Sequence, residues 1–278
     1  MVVQASGLPI DMNSASRMRS IVNRLAILVT GTYLVFVGTI VFSSEGSDFL
    51  VYYNAALAFR DGANPYDVPT YTYSPLFVQL LQPLVFFSGP QARLIWFFLQ
   101  VICLAVLIAV CIRMSGSRYA RQYWGLTTLC TFTAMPTYLD LVLGQVGSFM
   151  AAFIVTSYIL AQSRPFLASF LLSFSIVIKL YTAVIWFAYV QIQRWKMAYS
   201  TIVFCLLLVF VSIAIGGQNG YIHFATELMQ GSAYPHTAEH NNSLFGYWLR
   251  LFTTNPFVHP LIPCLLYTSP SPRDGLLS

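Results

Sequence analysis

Residues 21–42 have the sequence IVNRLAILVTGTYLVFVGTIVF, an apolar run long enough to cross a membrane as a single helix. The rest of the chain has the same character. Of its 278 residues, 57% are hydrophobic and 8% are charged, whereas soluble domains carry about 25% charged residues. This composition excludes a soluble globular domain, a disordered chain and a small disulfide-linked scaffold. We therefore predict an all-α, polytopic membrane protein.

The charged residues and the cysteines exclude several other functions. The net charge of +5 is not concentrated in a basic run and no RNA-binding motif accompanies it, so we expect no nucleic-acid partner. Four of the five cysteines lie in apolar runs, without a CxxC pair or a histidine at ligand spacing. No cluster of carboxylates suits a divalent cation. We therefore expect no metal, no cofactor and no disulfide framework.

Further apolar runs predict that the chain crosses the membrane several times. After residues 21–42, the candidate spans are Leu94–Ile112, Tyr123–Leu143, Val146–Gln162 and Tyr199–Ile215. The run Pro165–Gln191 is too long for one span, and we predict two short helices that break near Lys179. Ser74–Phe87 contains two prolines, and we predict that it dips into the outer leaflet without crossing.

The distribution of arginine and lysine orients this bundle. If Ser74–Phe87 does not cross, all three internal loops are basic, and the positive-inside rule assigns such loops to the cytoplasm. Residues 1–20 then form a cytoplasmic tail. The outer side carries the long first loop (residues 43–91), the Gly144–Gln145 turn, the break at Lys179 and residues 216–246. Most acidic residues lie in these outer segments, so we expect the chemistry on the extracytoplasmic face.

The last residues of the chain differ from the rest. Residues 264–278, CLLYTSPSPRDGLLS, resemble the translation of a sequencing adapter, and the SPSP motif suits no helix. We interpret this segment as a non-native tail, although a genuine polar C-terminus is the alternative. The native transmembrane domain is then predicted to occupy residues 21–263 and to continue in a longer protein.

Two charged residues beside or within apolar segments suggest chemistry. Asp48 follows the first span at the start of a new helix, where it can act as an N-terminal cap or as a general base. Lys179 interrupts an apolar run at the expected helix break. Its ammonium group can extend to the membrane interface, or it can bind an anion such as a phosphate. Because the helix is expected to break there, we favour phosphate binding.

Three further segments are less specific on their own. Tyr66, Tyr71 and Tyr73 fit either an interfacial aromatic belt or stacking on sugar and isoprenoid groups. Gln145 lies between two glycines, where it can cap a helix or hydrogen-bond a ligand hydroxyl. The run EHNNSLFGYWLR (residues 239–250) offers His240, Asn241 and Arg250 to a phosphate or sugar, although its NNS also matches the glycosylation sequon.

Taken in order, these motifs resemble those of glycosyltransferase family 87, the polyprenyl-phosphate-mannose-dependent mannosyltransferases of the GT-C superfamily. The matching motifs are Asp48-Phe49 with Tyr52-Tyr53, Asn64-Pro65-Tyr66-Asp67, Tyr71 to Leu76, Gly144-Gln145, Lys179-Leu180-Tyr181 and Asn242-Ser243-Leu244. They extend over Ile21 to Arg250. The departures are Ser74 and Thr182, where proline is expected, and Asn242, where glutamine is commoner.

The resemblance implies a GT-C-like helical bundle whose long first extracytoplasmic loop carries juxtamembrane helices. It also implies a hexosyltransferase of the bacterial cytoplasmic membrane with its active site on the extracytoplasmic side. The donor would be a sugar linked to polyprenyl phosphate, with mannose as the sugar, and the acceptor a lipid or a glycan. Membrane lipid is a further partner.

Under this hypothesis Asp48 is the general base of an inverting transfer. Lys179 binds the donor phosphate, and Arg250 and His240 are further cations for it. The residues expected to bind the sugar or the acceptor are Tyr52, Tyr53, Tyr73, Gln145, Asn241, Asn242 and Ser243. The alternative from another class is a transporter or flippase subunit for a lipid-linked or sugar substrate, which would place polar residues in both leaflets.

Overall fold

The computed structural model describes residues 12–44 and 47–230, and it divides the chain into two compact units, Met1–Phe224 and Ala225–Ser278. Five of the predicted site residues, namely His240, Asn241, Asn242, Ser243 and Arg250, lie outside the described residues. The segment 264–278 lies outside them as well.

The described residues form α-helices joined by short turns, and they contain no strand. The helices are α1 (Met12–Ser43), α2 (Ser47–Arg60), α3 (Pro75–Leu80), α4 (Gly89–Met114), α5 (Arg118–Gln122), α6 (Trp124–Thr133), α7 (Met135–Leu143), α8 (Gly147–Leu160), α9 (Pro165–Ile178), α10 (Ala183–Gln191), α11 (Trp195–Gly216) and α12 (Asn219–Gln230). Single 3₁₀ turns occupy Pro65–Asp67, Gln82–Phe86 and Leu180–Thr182. The predicted all-α class is confirmed.

Three of the described helices, α1, α4 and α11, are long and apolar enough to cross a membrane. Helices α6 and α7 form a fourth span if they are taken together, with a bend of 59° between them. The bend has a local cause, because Pro136 has no N–H and its ring clashes with the carbonyl four residues earlier in a continuous helix. Large apolar side chains such as Val35 and Phe210 remain exposed on these helices, as lipid contact requires.

Two further segments, one predicted not to cross the membrane and one predicted to break near Lys179, have the expected helical form. Ser74–Phe87 folds into the six-residue helix α3 and a 3₁₀ turn, which are too short to span a bilayer. Helix α9 ends at Ile178, and the chain turns at residues 180–182 before α10 begins, so the predicted break at Lys179 is confirmed.

Contacts between helices place the basic loops at one end of the bundle. The Asn23 side-chain amide donates to the Gln122 carbonyl at 2.8 Å and accepts from the Gly125 N–H at 3.1 Å. The first turns of α1 therefore lie beside the α5–α6 junction. Ser169 and Ser173 of α9 donate to the carbonyls of Met197 and Thr201 in α11, at 3.3 and 2.9 Å. Because the residue numbers of the two partners increase together along these contacts, α9 and α11 run parallel. Both helices begin after arginine-containing loops.

Candidate active site

The predicted outer segments meet at the end of the bundle that contains Asp48, which we call the Asp48 end. Helices α2 and α3, the first turns of α4, the Gly144–Gln145 turn and the break at Lys179 are in contact there. Their buried side chains form one cluster in which Tyr52, Tyr73, Phe77 and Trp96 pack edge to face or tilted. The sequence predicts that these segments lie on the same side of the membrane, and their contacts at one end of the bundle agree with that prediction.

Asp48 lies in the first turn of α2, where unpaired backbone N–H groups and the helix dipole favour a carboxylate. The Gln145 Nε2 donates a hydrogen bond of 2.9 Å to the Asp48 Oδ2, across 97 residues of sequence. Both side chains are half-buried. The two residues that the sequence singled out separately are thus direct partners, and the glutamine amide fixes the orientation of the carboxylate.

The turn that presents Gln145 is held tightly. Gly144 has a φ of +74°, in the left-handed region that favours glycine, and a Cβ atom there would lie 2.6 Å from the Phe49 Cβ. The Trp96 indole N–H donates to the Gly144 carbonyl at 2.9 Å, and the Gln100 Nε2 donates to the Gln145 carbonyl at 2.8 Å. Helix α4 therefore positions the backbone on both sides of the Gly144–Gln145 bond.

A buried carboxylate that the sequence analysis did not assign to the site supports the same turn. Asp140, 8% exposed, accepts hydrogen bonds at its Oδ2 from the Ser148 N–H at 3.1 Å, from the Ser148 hydroxyl and from Gln100 at 3.4 Å. Its position in an apolar span was the signal that could have identified it, because a charge there is rarely accidental. Its partners show that it connects α7, α8 and α4.

A second chain of polar contacts leads from α2 to Lys179. The hydroxyls of Tyr52 and Tyr73 are 2.8 Å apart, and the Lys179 Nζ donates to the Tyr73 hydroxyl at 3.0 Å. The ammonium also lies 5.0 Å from the centroid of the Tyr73 ring and 5.4 Å from that of Tyr181. Burial, and then the neighbouring Tyr73, raise the pKa of the Tyr52 phenol far above its ordinary value, so this hydroxyl remains neutral.

The other tyrosines of the first outer loop build the loop itself. The Tyr66 hydroxyl donates to the Tyr73 carbonyl at 2.9 Å, and the Tyr71 hydroxyl donates to the Ser74 carbonyl at 3.3 Å. The Asn64 side chain accepts from the Tyr66 N–H and caps the 3₁₀ turn. These residues hold Tyr73 in place, so the motif has a structural role in presenting that hydroxyl.

Tyr53 points away from this group, although it neighbours Tyr52 in sequence. Its hydroxyl donates to the Phe87 carbonyl at 2.7 Å, at the start of the turn into α4.

Across residues 12–44 and 47–230, no three His, Cys, Asp or Glu side chains lie close enough together to hold a metal ion. Among the described residues that the sequence predicted for the site, Asp48 supplies a carboxylate and Lys179 an ammonium group, with amide and phenol groups beside them.

The family model of glycosyltransferase family 87 matches residues 71–268, which is more than half of the chain. The matched region begins two residues before Tyr73 and contains Gln145 and Lys179, whereas Asp48 and Tyr52 precede it. No curated protein and no solved structure gives a significant match. The chain belongs to glycosyltransferase family 87, and it is a membrane glycosyltransferase.

Proposed function

We propose that this glycosyltransferase moves a hexose, mannose by resemblance, from a polyprenyl-phosphate donor to a hydroxyl of a lipid or glycan acceptor. We place the reaction on the extracytoplasmic side of a bacterial cytoplasmic membrane. One observation carries the proposal. Asp48 and Tyr52 are four residues apart, so they share a face of α2, and Tyr52 leads through Tyr73 to Lys179. A carboxylate and an ammonium group thus converge at the Asp48 end.

The proposed reaction is a single displacement that inverts the anomeric carbon. Asp48 accepts the proton of the acceptor hydroxyl while the hydroxyl oxygen forms its bond to that carbon. The bond from the anomeric carbon to the phosphate oxygen breaks, and its electron pair leaves with the polyprenyl phosphate. The transition state has oxocarbenium character, as in glycoside hydrolysis. Gln145 keeps the Asp48 carboxylate oriented toward the acceptor.

The leaving phosphate gains negative charge, and in this proposal the Lys179 ammonium group stabilises it. An ammonium group has three donors, and the Tyr73 hydroxyl accepts one of them. Tyr52 and Tyr73 are 3% and 8% exposed, so their hydroxyls are placed to position the lysine. His240 and Arg250 stay predictions as further cations, as do Asn241, Asn242 and Ser243 as sugar or acceptor ligands. Tyr52, Tyr53, Tyr73 and Gln145 complete that predicted set.

The test of the proposed base is Asp48→Asn in the purified protein, with transfer from polyprenyl-phosphate mannose to a lipid extract as the assay. We expect turnover to fall by about 10²–10⁴-fold, the usual contribution of a general base, with donor affinity unchanged. Asp61→Asn is the matched control, because Asp61 lies past the end of the same helix and pairs with the exposed Arg60. Wild-type turnover in Asp48→Asn removes Asp48 as the base.

A further inference from the structure

Arg93 is a buried cation that the proposed reaction does not use. It lies in the first turns of α4 and is 3% exposed. Its Nη2 donates to the Ser44 hydroxyl at 3.2 Å and to the Val142 carbonyl. Within the described part of the chain, its Nε and Nη1 atoms have no hydrogen-bond partner, and no carboxylate forms an ion pair with it.

Burying a charged group such as Arg93 without a partner costs free energy of folding. A guanidinium group stays protonated, so it cannot avoid the cost of burial by losing its charge. A buried charge without a counter-ion is strongly destabilising, and each unpaired N–H adds a desolvation cost. The two hydrogen bonds that Arg93 makes are to neutral oxygens. The arrangement therefore points to an anion as the missing partner.

A cavity of about 350 Å³ adjoins Arg93 and has room for that anion. Its walls come from the end of α1, from α2 and from the start of α4, and its lining residues include Phe42, Ser44, Phe49, Leu50, Tyr53 and Gly89. The N-terminus of α4, a helix of 26 residues, opens into it, so the positive end of the helix dipole adds to the charge of Arg93. Most of the remaining wall is apolar.

We propose that this cavity binds the phosphate group of an amphiphile, with Arg93 and the N-terminus of α4 on the phosphate and the apolar wall on the adjoining chain. The guanidinium keeps N–H donors at Nε and Nη1 that no protein group accepts among the described residues, and phosphate oxygens are strong acceptors for such donors. The site differs from that at Lys179. Tyr52 faces Tyr73, whereas Tyr53 lines the cavity, and consecutive helical residues point about 100° apart. The proposal does not depend on sugar transfer.

The test is a binding measurement on the purified full chain in detergent, by native mass spectrometry. The probes are dioleoyl-phosphatidylglycerol, dioleoylglycerol as the same lipid without phosphate, and inorganic phosphate. We expect the wild-type chain to retain phosphatidylglycerol over dioleoylglycerol, and Arg93→Gln to weaken that retention about tenfold or more. If inorganic phosphate displaces phosphatidylglycerol, the site binds the free anion. If inorganic phosphate does not displace it, the site binds the lipid headgroup. Both outcomes support the shared phosphate chemistry.

Two further variants distinguish a loss of lipid binding from misfolding of the chain. Leu50→Trp fills the cavity without touching the charge, and we expect it to reduce phosphatidylglycerol retention as well. Arg60→Gln, an exposed arginine at the end of α2, is the matched control and should bind like wild type.

Two results overturn the proposal. One is wild-type retention of phosphatidylglycerol in both Arg93→Gln and Leu50→Trp. The other is equal retention of phosphatidylglycerol and dioleoylglycerol by the wild-type chain.

Discussion

Under the proposed mechanism, single residues at the Asp48 end divide between reacting groups and groups that orient them. The Asp48 carboxylate can accept a proton, and the Lys179 ammonium group can pair with an anion. Gln145 orients the Asp48 side chain and Tyr73 orients the Lys179 side chain. Asp140 also carries a carboxylate, but its Oδ2 already accepts hydrogen bonds from Ser148 and Gln100. Residue type alone therefore does not separate a catalytic carboxylate from a structural one, because the difference lies in the hydrogen bonds each receives.

Lys179 gives a prediction at the level of a single residue. Lys179→Met keeps the length of the side chain and removes its charge, so we expect donor affinity to fall by about 10–100-fold, the worth of a charge-assisted hydrogen bond. The measurement is binding of polyprenyl phosphate to the purified protein. Lys196→Met, an exposed lysine in the first turn of α11, is the control. An unchanged donor affinity in Lys179→Met would return Lys179 to a role at the membrane interface.

Among the elements, the breaks between helices do more for the site than the helices themselves. Helix α9 stops at Ile178, which frees Lys179 to face Tyr73. Helix α7 stops at Leu143, and the left-handed Gly144 turns the chain so that Gln145 meets Asp48. Both breaks fall at the same end of the bundle, so two otherwise apolar helical hairpins supply polar groups to one place.

The Gly144 turn gives a prediction at the level of an element. Gly144→Ala must place a Cβ atom 2.6 Å from the Phe49 Cβ at a positive φ, so we expect a loss of about 2–4 kcal/mol in unfolding free energy. Thermal unfolding in detergent measures it, and transfer activity should fall with it as Gln145 shifts. Gly62→Ala is the matched control, because Gly62 has a φ of +75° with nothing within 4 Å of its Cβ position. Equal destabilisation by both substitutions would contradict the close packing against Phe49.

Across the described part of the membrane domain, the candidate reacting groups and the arginine-rich loops are at opposite ends. The Asn23–Gln122 contact places the arginines in the first half of α1 near those around α5, and the parallel course of α9 and α11 places Arg164 near Arg194. Asp48, Gln145 and Lys179 lie together at the Asp48 end. By the positive-inside rule, we propose that the Asp48 end faces the extracytoplasmic side.

This orientation predicts which single cysteines an impermeant maleimide reaches in intact spheroplasts. Asp61 lies just past α2, and Arg118 begins α5, both exposed. Asp61→Cys should be labelled from outside, whereas Arg118→Cys should be labelled only after the membrane is permeabilised. The parent chain gives the background from its own cysteines. Labelling of Arg118→Cys from outside, with Asp61→Cys protected, would reverse the orientation.

How much of the site the sequence could predict depends on the range of each signal. Asp48, Gln145 and Lys179 were found because each interrupts a local pattern: a carboxylate after a span, a polar residue between glycines, a charge in an apolar run. Arg93 and Gln100 were missed. Each lies on α4, near or within an apolar run, and only its contacts with residues about 40 to 49 positions away show what it does.

The sequence by itself determined the membrane class, the positions of the helix breaks and the end of the bundle where polar groups collect. These follow from hydropathy, proline and charge, which act over one or two helical turns. Only the tertiary structure decided that Gln145 orients Asp48, that Tyr73 joins Tyr52 to Lys179 and that Arg93 borders an open cavity. Those pairings join residues as far as 106 positions apart, and they arise from how the helices pack, which no local pattern encodes.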